Sequence, residues 1–141
     1  MAHHGPIILI EDDSDDEEMF MEILEELGIK NKTIWFTNSR EAFDHIKISP
    51  EQPFIIFCDI NLPAQNGVDF KRRLDDDAEL RKKSIPFVFY STTVNEQAVN
   101  DAYTKMTVQG FFKKGTTYAE IKNDIKVIFD YWRSCKHPNA L

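Results

Sequence analysis

Four stretches of this chain carry residues that could do chemistry together. Glu11 and Asp12 follow the apolar run Ile7-Ile8-Leu9-Ile10. Asp59 follows Phe54-Ile55-Ile56-Phe57-Cys58. Ser91, Thr92 and Thr93 follow Ile85 to Tyr90, and Lys113 and Lys114 follow Gln109-Gly110-Phe111-Phe112. Clustered carboxylates raise one another's pKa unless a cation sits among them. Oxygen-only ligands with open positions suit Mg²⁺, which keeps several waters. Asp59 could then attack phosphorus as a carboxylate nucleophile and form an acyl phosphate. A lysine ammonium and the Ser91 hydroxyl would neutralise the charge that develops on the phosphoryl oxygens. Taken singly, each stretch has a plainer reading. Acids at a strand–helix junction cap helices. An Asp before a Pro/Gly loop forms a turn. Ser-Thr-Thr starts a helix, and a Lys pair beside Gly115 sits in water. Their recurrence at four strand ends argues for one site.

For these residues to meet, the apolar runs must be parallel strands. The stretch from Phe54 to Cys58 is apolar throughout, as in a strand buried on both faces of a helix-covered sheet. The other expected strands are 7–10, 33–36, 85–90 and 109–112. Between them lie helical patterns. Phe20, Ile23, Leu24 and Leu27 recur at helical spacing before Gly28, with Asp15 to Glu18 as a solvated acidic first turn. Asn38 with Glu41 and Thr117 with Glu120 read as capping boxes. Val68, Phe70 and Leu74 suggest a third helix, and the charged run Lys71 to Lys83 its solvated face and following loop. Ala98, Val99, Ala102, Tyr103 and Met106 mark a fourth. Ile121, Ile125, Ile128 and Trp132 line a fifth, and His137 to Leu141 read as a frayed tail. Five β-α repeats predict a doubly wound α/β domain with helices on both faces. Its ligand site belongs at the carboxyl ends of the strands. A single domain over residues 1–141, with a core of about 6–133 and short tails, uses up the chain.

Composition narrows the function. The 141 residues carry a formal net charge of −7, which argues against nucleic acid as a direct partner. Eleven Phe and two Trp supply apolar area for a packed core. Two cysteines make no disulfide framework and fit a reducing cytoplasm. No apolar run is long enough to span a bilayer. The start of the chain is no signal peptide, and His3 and His4 read as a polar terminus rather than a metal site.

These motifs together resemble a response regulator receiver domain of the stand-alone, single-domain type. The carriers are Leu9-Ile10-Glu11-Asp12-Asp13, Asp59-Ile60-Asn61-Leu62-Pro63 through Gly67, the hydroxyl after the fourth strand, and the lysine after Phe111-Phe112. The resemblance implies a flavodoxin-like, five-stranded parallel sheet. It implies Asp59 as phosphoacceptor and a Mg²⁺ site of Glu11, Asp12, Asp59 and the main-chain carbonyl of Asn61, with Asp12 the direct acidic-pair ligand. Ser91 matches the switch hydroxyl, Lys114 the site lysine and Phe111 the switch aromatic. Asn61 and Thr93 match positions that tune autodephosphorylation. Ser91 stands where Thr is commoner, Thr92 where a small residue is usual, and Gly115 where the family has Pro. The Ser-Thr-Thr and Phe-Phe-Lys-Lys details are similar to small regulators that serve phytochrome-type kinases.

The expected function is a cytoplasmic phosphorylation switch, not a turnover enzyme. A histidine kinase or histidine phosphotransfer protein would donate to Asp59. A downstream protein would read the face of helix four, strand five and helix five, and a second copy of the chain is a further candidate partner. The alternative is a phosphorelay intermediate. A phosphohydrolase usually carries a second carboxylate two residues after the nucleophile, where this chain has Asn61. A flavodoxin-like binding module would want Ser, Thr or Gly after strand one, where this chain has acids. A Ca²⁺ loop over Asp12 to Glu18 lacks the expected glycine and glutamate spacing.

Overall fold

Among the described residues, apolar runs that alternate with amphipathic segments build five strands and six helices. The computed structural model describes residues 4–62, 66–92 and 96–138, and for Ala98 the backbone alone. Expectations about His3, Pro63, Thr93, the Ala98 side chain and the last three residues lie outside the described residues. The strands are β1 (Ile7–Ile10), β2 (Thr33–Phe36), β3 (Ile55–Cys58), β4 (Phe87–Ser91) and β5 (Gly110–Lys113). All pair in parallel, in the order β2-β1-β3-β4-β5. The expected five-stranded doubly wound sheet is therefore the one observed. Successive side chains point to opposite faces. Ile8, Ile10, Ile56 and Phe89 build one core layer, and Ile7, Leu9, Phe57 and Val88 the other.

The helices are α1 (Ser14–Glu26), α2 (Ser39–Ile48), α3 (Gly67–Asp76), α4 (Ala78–Lys83), α5 (Glu96–Lys105) and α6 (Tyr118–Ser134). Ala42, Ile46, Phe70, Leu74 and Ala102 pack α2, α3 and α5 on one face of the sheet. Phe20, Ile23, Ile125, Ile128 and Phe129 pack α1 and α6 on the other. The expected caps form: Asn38 Oδ1 accepts from the Glu41 N–H, and Thr117 Oγ1 from the Glu120 N–H. Among the described residues, no helix is long and apolar enough to cross a membrane.

Two expectations are corrected. The run Lys71 to Lys83 is not only a solvated face and loop. Asp77 ends α3 and also caps α4, its carboxylate accepting from the Glu79 and Leu80 N–H groups, so a short extra helix forms. The expected fourth and fifth helices are thus α5 and α6. Within the same run Lys71 is buried, its ammonium held by Asp75 at 2.8 Å and Thr107 at 2.9 Å. Nor is His137 frayed. It is buried against Phe54, with Nε2 2.6 Å from the Phe54 carbonyl oxygen and the rings stacked.

Candidate functional site

The chain leaves β1 in both directions across the sheet, to β2 on one side and β3 on the other. A crevice therefore opens at the carboxyl ends of β1 and β3. Ile10 pairs with Cys58, which sets Glu11 and Asp59 side by side. The Asp59 N–H donates to the Ile10 carbonyl at 3.1 Å. Ser91 pairs with Lys113, and the Lys114 N–H donates to the Ser91 carbonyl at 2.9 Å, so β4 and β5 deliver their residues to the same edge.

Asp59 is the point of convergence. Its Oδ1 accepts from the Ser91 hydroxyl at 2.8 Å and from the Asn61 N–H at 3.1 Å. Its Oδ2 lies 3.9 Å from Lys114 Nζ. The Lys114 ammonium also pairs with Glu11 and, at 3.2 Å, with Asp16. Carboxylate oxygens of Glu11, Asp12 and Asp59 all lie within 4.8 Å of one another. Gly67 packs against the backbone that carries Asp59. Its N–H donates to the Ile60 carbonyl, and a Cβ there would lie 2.4 Å from the Asp59 carbonyl oxygen.

The electrostatics follow from crowding. Burial raises the Glu11 carboxyl from its ordinary 4.5 to about 7. Lys114 works against that rise, and Asp59 and Asp16 add to it. Burial would lower the Lys114 ammonium, but the Glu11 hydrogen bond and the surrounding carboxylates outweigh it and hold the group above its ordinary value. Three carboxylates this close, Glu11 among them, offer hard oxygen donors that fit a small divalent cation such as Mg²⁺.

The sequence-derived residues divide clearly. Glu11, Asp12, Asp59, Ser91 and Lys114 meet at one edge, whereas Lys113 is exposed. Asp13 caps α1 through Oδ1, which accepts from the Asp15 and Asp16 N–H groups. Asn61 is exposed beside the site and touches Asp59 through its N–H. Phe111 is half-buried, its ring 5.3 Å from that of Phe89. Two contributors were missed. Asp16, grouped with the solvated acids of α1, reaches Lys114. Trp35 donates from Nε1 to the Glu11 carbonyl at 2.7 Å and so braces the β1 end from the edge strand. No local signal set Asp16 apart from the other acids of the first turn of α1. No local signal pointed to Trp35.

Comparison with known proteins bears on the family and the fold. The family model of the response regulator receiver domain matches residues 7–126. The phosphorylated cyanobacterial phytochrome response regulator RcpA is similar, with a TM-score of 0.86 and 23% identity over 96% of this chain and 99% of that one. The Mn²⁺-bound form of response regulator Rcp1 gives 0.83 at 23% identity, over 95% and 99%. The receiver domain of a sensor histidine kinase from Pseudomonas aeruginosa PAO1, with a magnesium ion coordinated in its active site cleft, gives 0.71 at 15% identity, over 93% and 98%. At these identities the structural likeness speaks to fold. No curated protein sequence matches. The family match spans both corners of the acidic edge and all five strands, and on it the chain belongs to the response regulator receiver domain family.

Proposed function

We propose that this chain is a phosphorylation switch that takes one phosphoryl group on Asp59. The observation that carries the reading is the convergence on Asp59 of the Ser91 hydroxyl, the Lys114 ammonium and two further carboxylates. Two donors already hold Oδ1, which leaves Oδ2 as the attacking oxygen. That oxygen bonds to phosphorus while the bond from phosphorus to the donor's imidazole nitrogen breaks, its electron pair staying on that nitrogen. Glu11, Asp12, Asp59 and the Asn61 carbonyl would hold Mg²⁺, which supplies charge neutralisation for the phosphoryl oxygens. Asn61 offers no acid or base to activate water, so the reading is a held phosphoryl group rather than turnover.

The switch starts from a Ser91 that is already buried and bonded to Asp59. Its hydroxyl therefore needs only to pass its hydrogen bond from the carboxylate to a phosphoryl oxygen. Tightening there draws the end of β4, and Phe111 turns on Phe89. The face of α5, β5 and α6 then reads out the change to a protein partner in the cytoplasm. The donor is a histidine kinase or histidine phosphotransfer protein. Likeness to a phytochrome response regulator supports a phytochrome-type kinase.

Incubation with Mg²⁺ and acetyl phosphate, read by intact mass, tests the reading. One added phosphoryl group is expected on the wild type and none on Asp59→Asn. An unmodified wild type, or an unchanged adduct on the variant, would overturn it. Steady phosphate release from a generic phosphomonoester would favour a hydrolase instead.

A further inference from the structure

The site lysine is shared unequally among its acids. Glu11 Oε1 accepts from Lys114 Nζ, and Asp16 Oδ2 accepts from it at 3.2 Å. Asp59 Oδ2 lies at 3.9 Å, beyond hydrogen-bond reach. Two of the three ammonium hydrogens therefore serve acids other than the phosphoacceptor.

Glu11 is accounted for by its place among the clustered carboxylates, which are Glu11, Asp12 and Asp59. Asp16 lies outside that cluster. Its side chain is 41% exposed, against 5% for Glu11 and 12% for Asp59. It lines one cavity of about 30 Å³ with Asp59 and Lys114. Its backbone is held in the start of α1, where Asp13 Oδ1 accepts the Asp16 N–H at 3.3 Å. The plainer reason for an acid here is the helix dipole. Asp15 and Glu17 share that reason, but of these three first-turn acids it is Asp16 that pairs with Lys114.

We propose that Asp16 is a positioning residue that restrains Lys114. Its carboxylate holds the ammonium off Asp59 and competes with a phosphoryl group for it, so the site binds that group less tightly than Lys114 alone would allow. This rests on the phosphoacceptor reading above. Asp16→Asn keeps an oxygen that can accept from Lys114 and removes the charge. At saturating Mg²⁺, its affinity for beryllofluoride as a phosphoryl analogue, read by tryptophan fluorescence, should rise about three- to fivefold, the upper range for a partly exposed ion pair. Damage to α1 would not produce a gain. The gain should shrink as NaCl screens the pair. Asp16→Glu keeps the charge and should stay nearer wild type. Asp15→Asn removes the neighbouring charge and should change the affinity by less than about 1.5-fold, since it breaks no ion pair. If Asp16→Asn folds poorly, Asp16→Ala, with a stronger helix former, reads the same contact. A second readout needs neither cation nor analogue. In chelator, Asp16→Asn should cost more of the urea midpoint with Lys114 in place than in a Lys114→Met background. An unchanged or weaker analogue affinity in Asp16→Asn, an equal gain in Asp15→Asn, or additive urea midpoints overturn the role. A wild type that takes neither beryllofluoride nor a phosphoryl group instead rejects the phosphoacceptor reading itself.

Discussion

At the residue scale, the site depends on how closely backbones approach. The Gly67 position lies so near Asp59 that a methyl group would meet its carbonyl oxygen at 2.4 Å, and Cys58 Sγ at 3.1 Å. Backbone cannot rotate out of the way as a flexible side chain can. Gly67→Ala is therefore expected to displace the β3 end and cost about 1–3 kcal/mol, the usual range for overpacking. Urea unfolding measures the cost, and intact mass after acetyl phosphate reads the displaced Asp59 as slower labelling. Normal stability with normal labelling would show that the loop absorbs the methyl freely. Gly67 stood out in the sequence through its distance from Asp59, but the reason for it did not. Spacing places a glycine near a turn; only the fold shows which carbonyl it faces. Asp16 teaches the same lesson from the other side, because its tie to Lys114 spans 98 residues.

At the element scale, α3 is fastened to the segment before β5 by a buried charged cluster. Asp75 Oδ1 accepts from Lys71 and from the Thr107 hydroxyl, and Oδ2 accepts from the Thr107 N–H. The side chains of Lys71 and Asp75 are 5% and 10% exposed. Asp75→Asn leaves the Lys71 ammonium buried without its anion and should cost about 3–5 kcal/mol. Adding Lys71→Met should recover most of that loss, because a well-packed apolar pair avoids the desolvation of two charges. Burial works to raise the Asp75 carboxyl, but Lys71 and Thr107 more than offset it and hold it below its ordinary value. Its contribution is therefore full above the unfolded carboxylate range of about 4 and is lost as pH falls through the lower folded value. The stability gap between wild type and Asp75→Asn, from urea midpoints across pH, should narrow over that acidic window. Constancy there would assign the cost to packing. Strands and capped helices were legible because their signals are local: apolar runs, helical spacing and cap residues. The Lys71 cluster was not, since a lysine in a mixed-charge run has the pattern of a solvated face until Thr107, 36 positions on, is folded over it.

At the scale of the whole molecule, topology explains why the site could be read further than the details around it. Parallel strands joined by helices must bring their carboxyl ends to one edge, so acids, hydroxyl and lysine at those ends had to meet. Nothing comparable announced His137, whose seat on Phe54 joins residues 83 positions apart. The same convergence imposes a cost on the metal-free fold. Glu11, Asp12 and Asp59 are held within reach of one another in a chain of net charge −7, and the unfolded chain relaxes that repulsion. Two effects of opposite sign follow for Asp12→Asn. With chelator present, the variant should unfold at a higher urea concentration than wild type, because one member of the cluster is neutral. With rising Mg²⁺, wild type should gain about 1.4 kcal/mol per tenfold once the concentration exceeds its dissociation constant, since the cation binds the folded site alone. The variant, lacking a ligand, should gain little, so the two stability curves cross. The wild-type rise must persist when ionic strength is held constant with NaCl, which separates site binding from screening. Parallel curves, or a rise reproduced by NaCl, would reduce the acidic edge to surface charge and remove the cation from the account of Asp59.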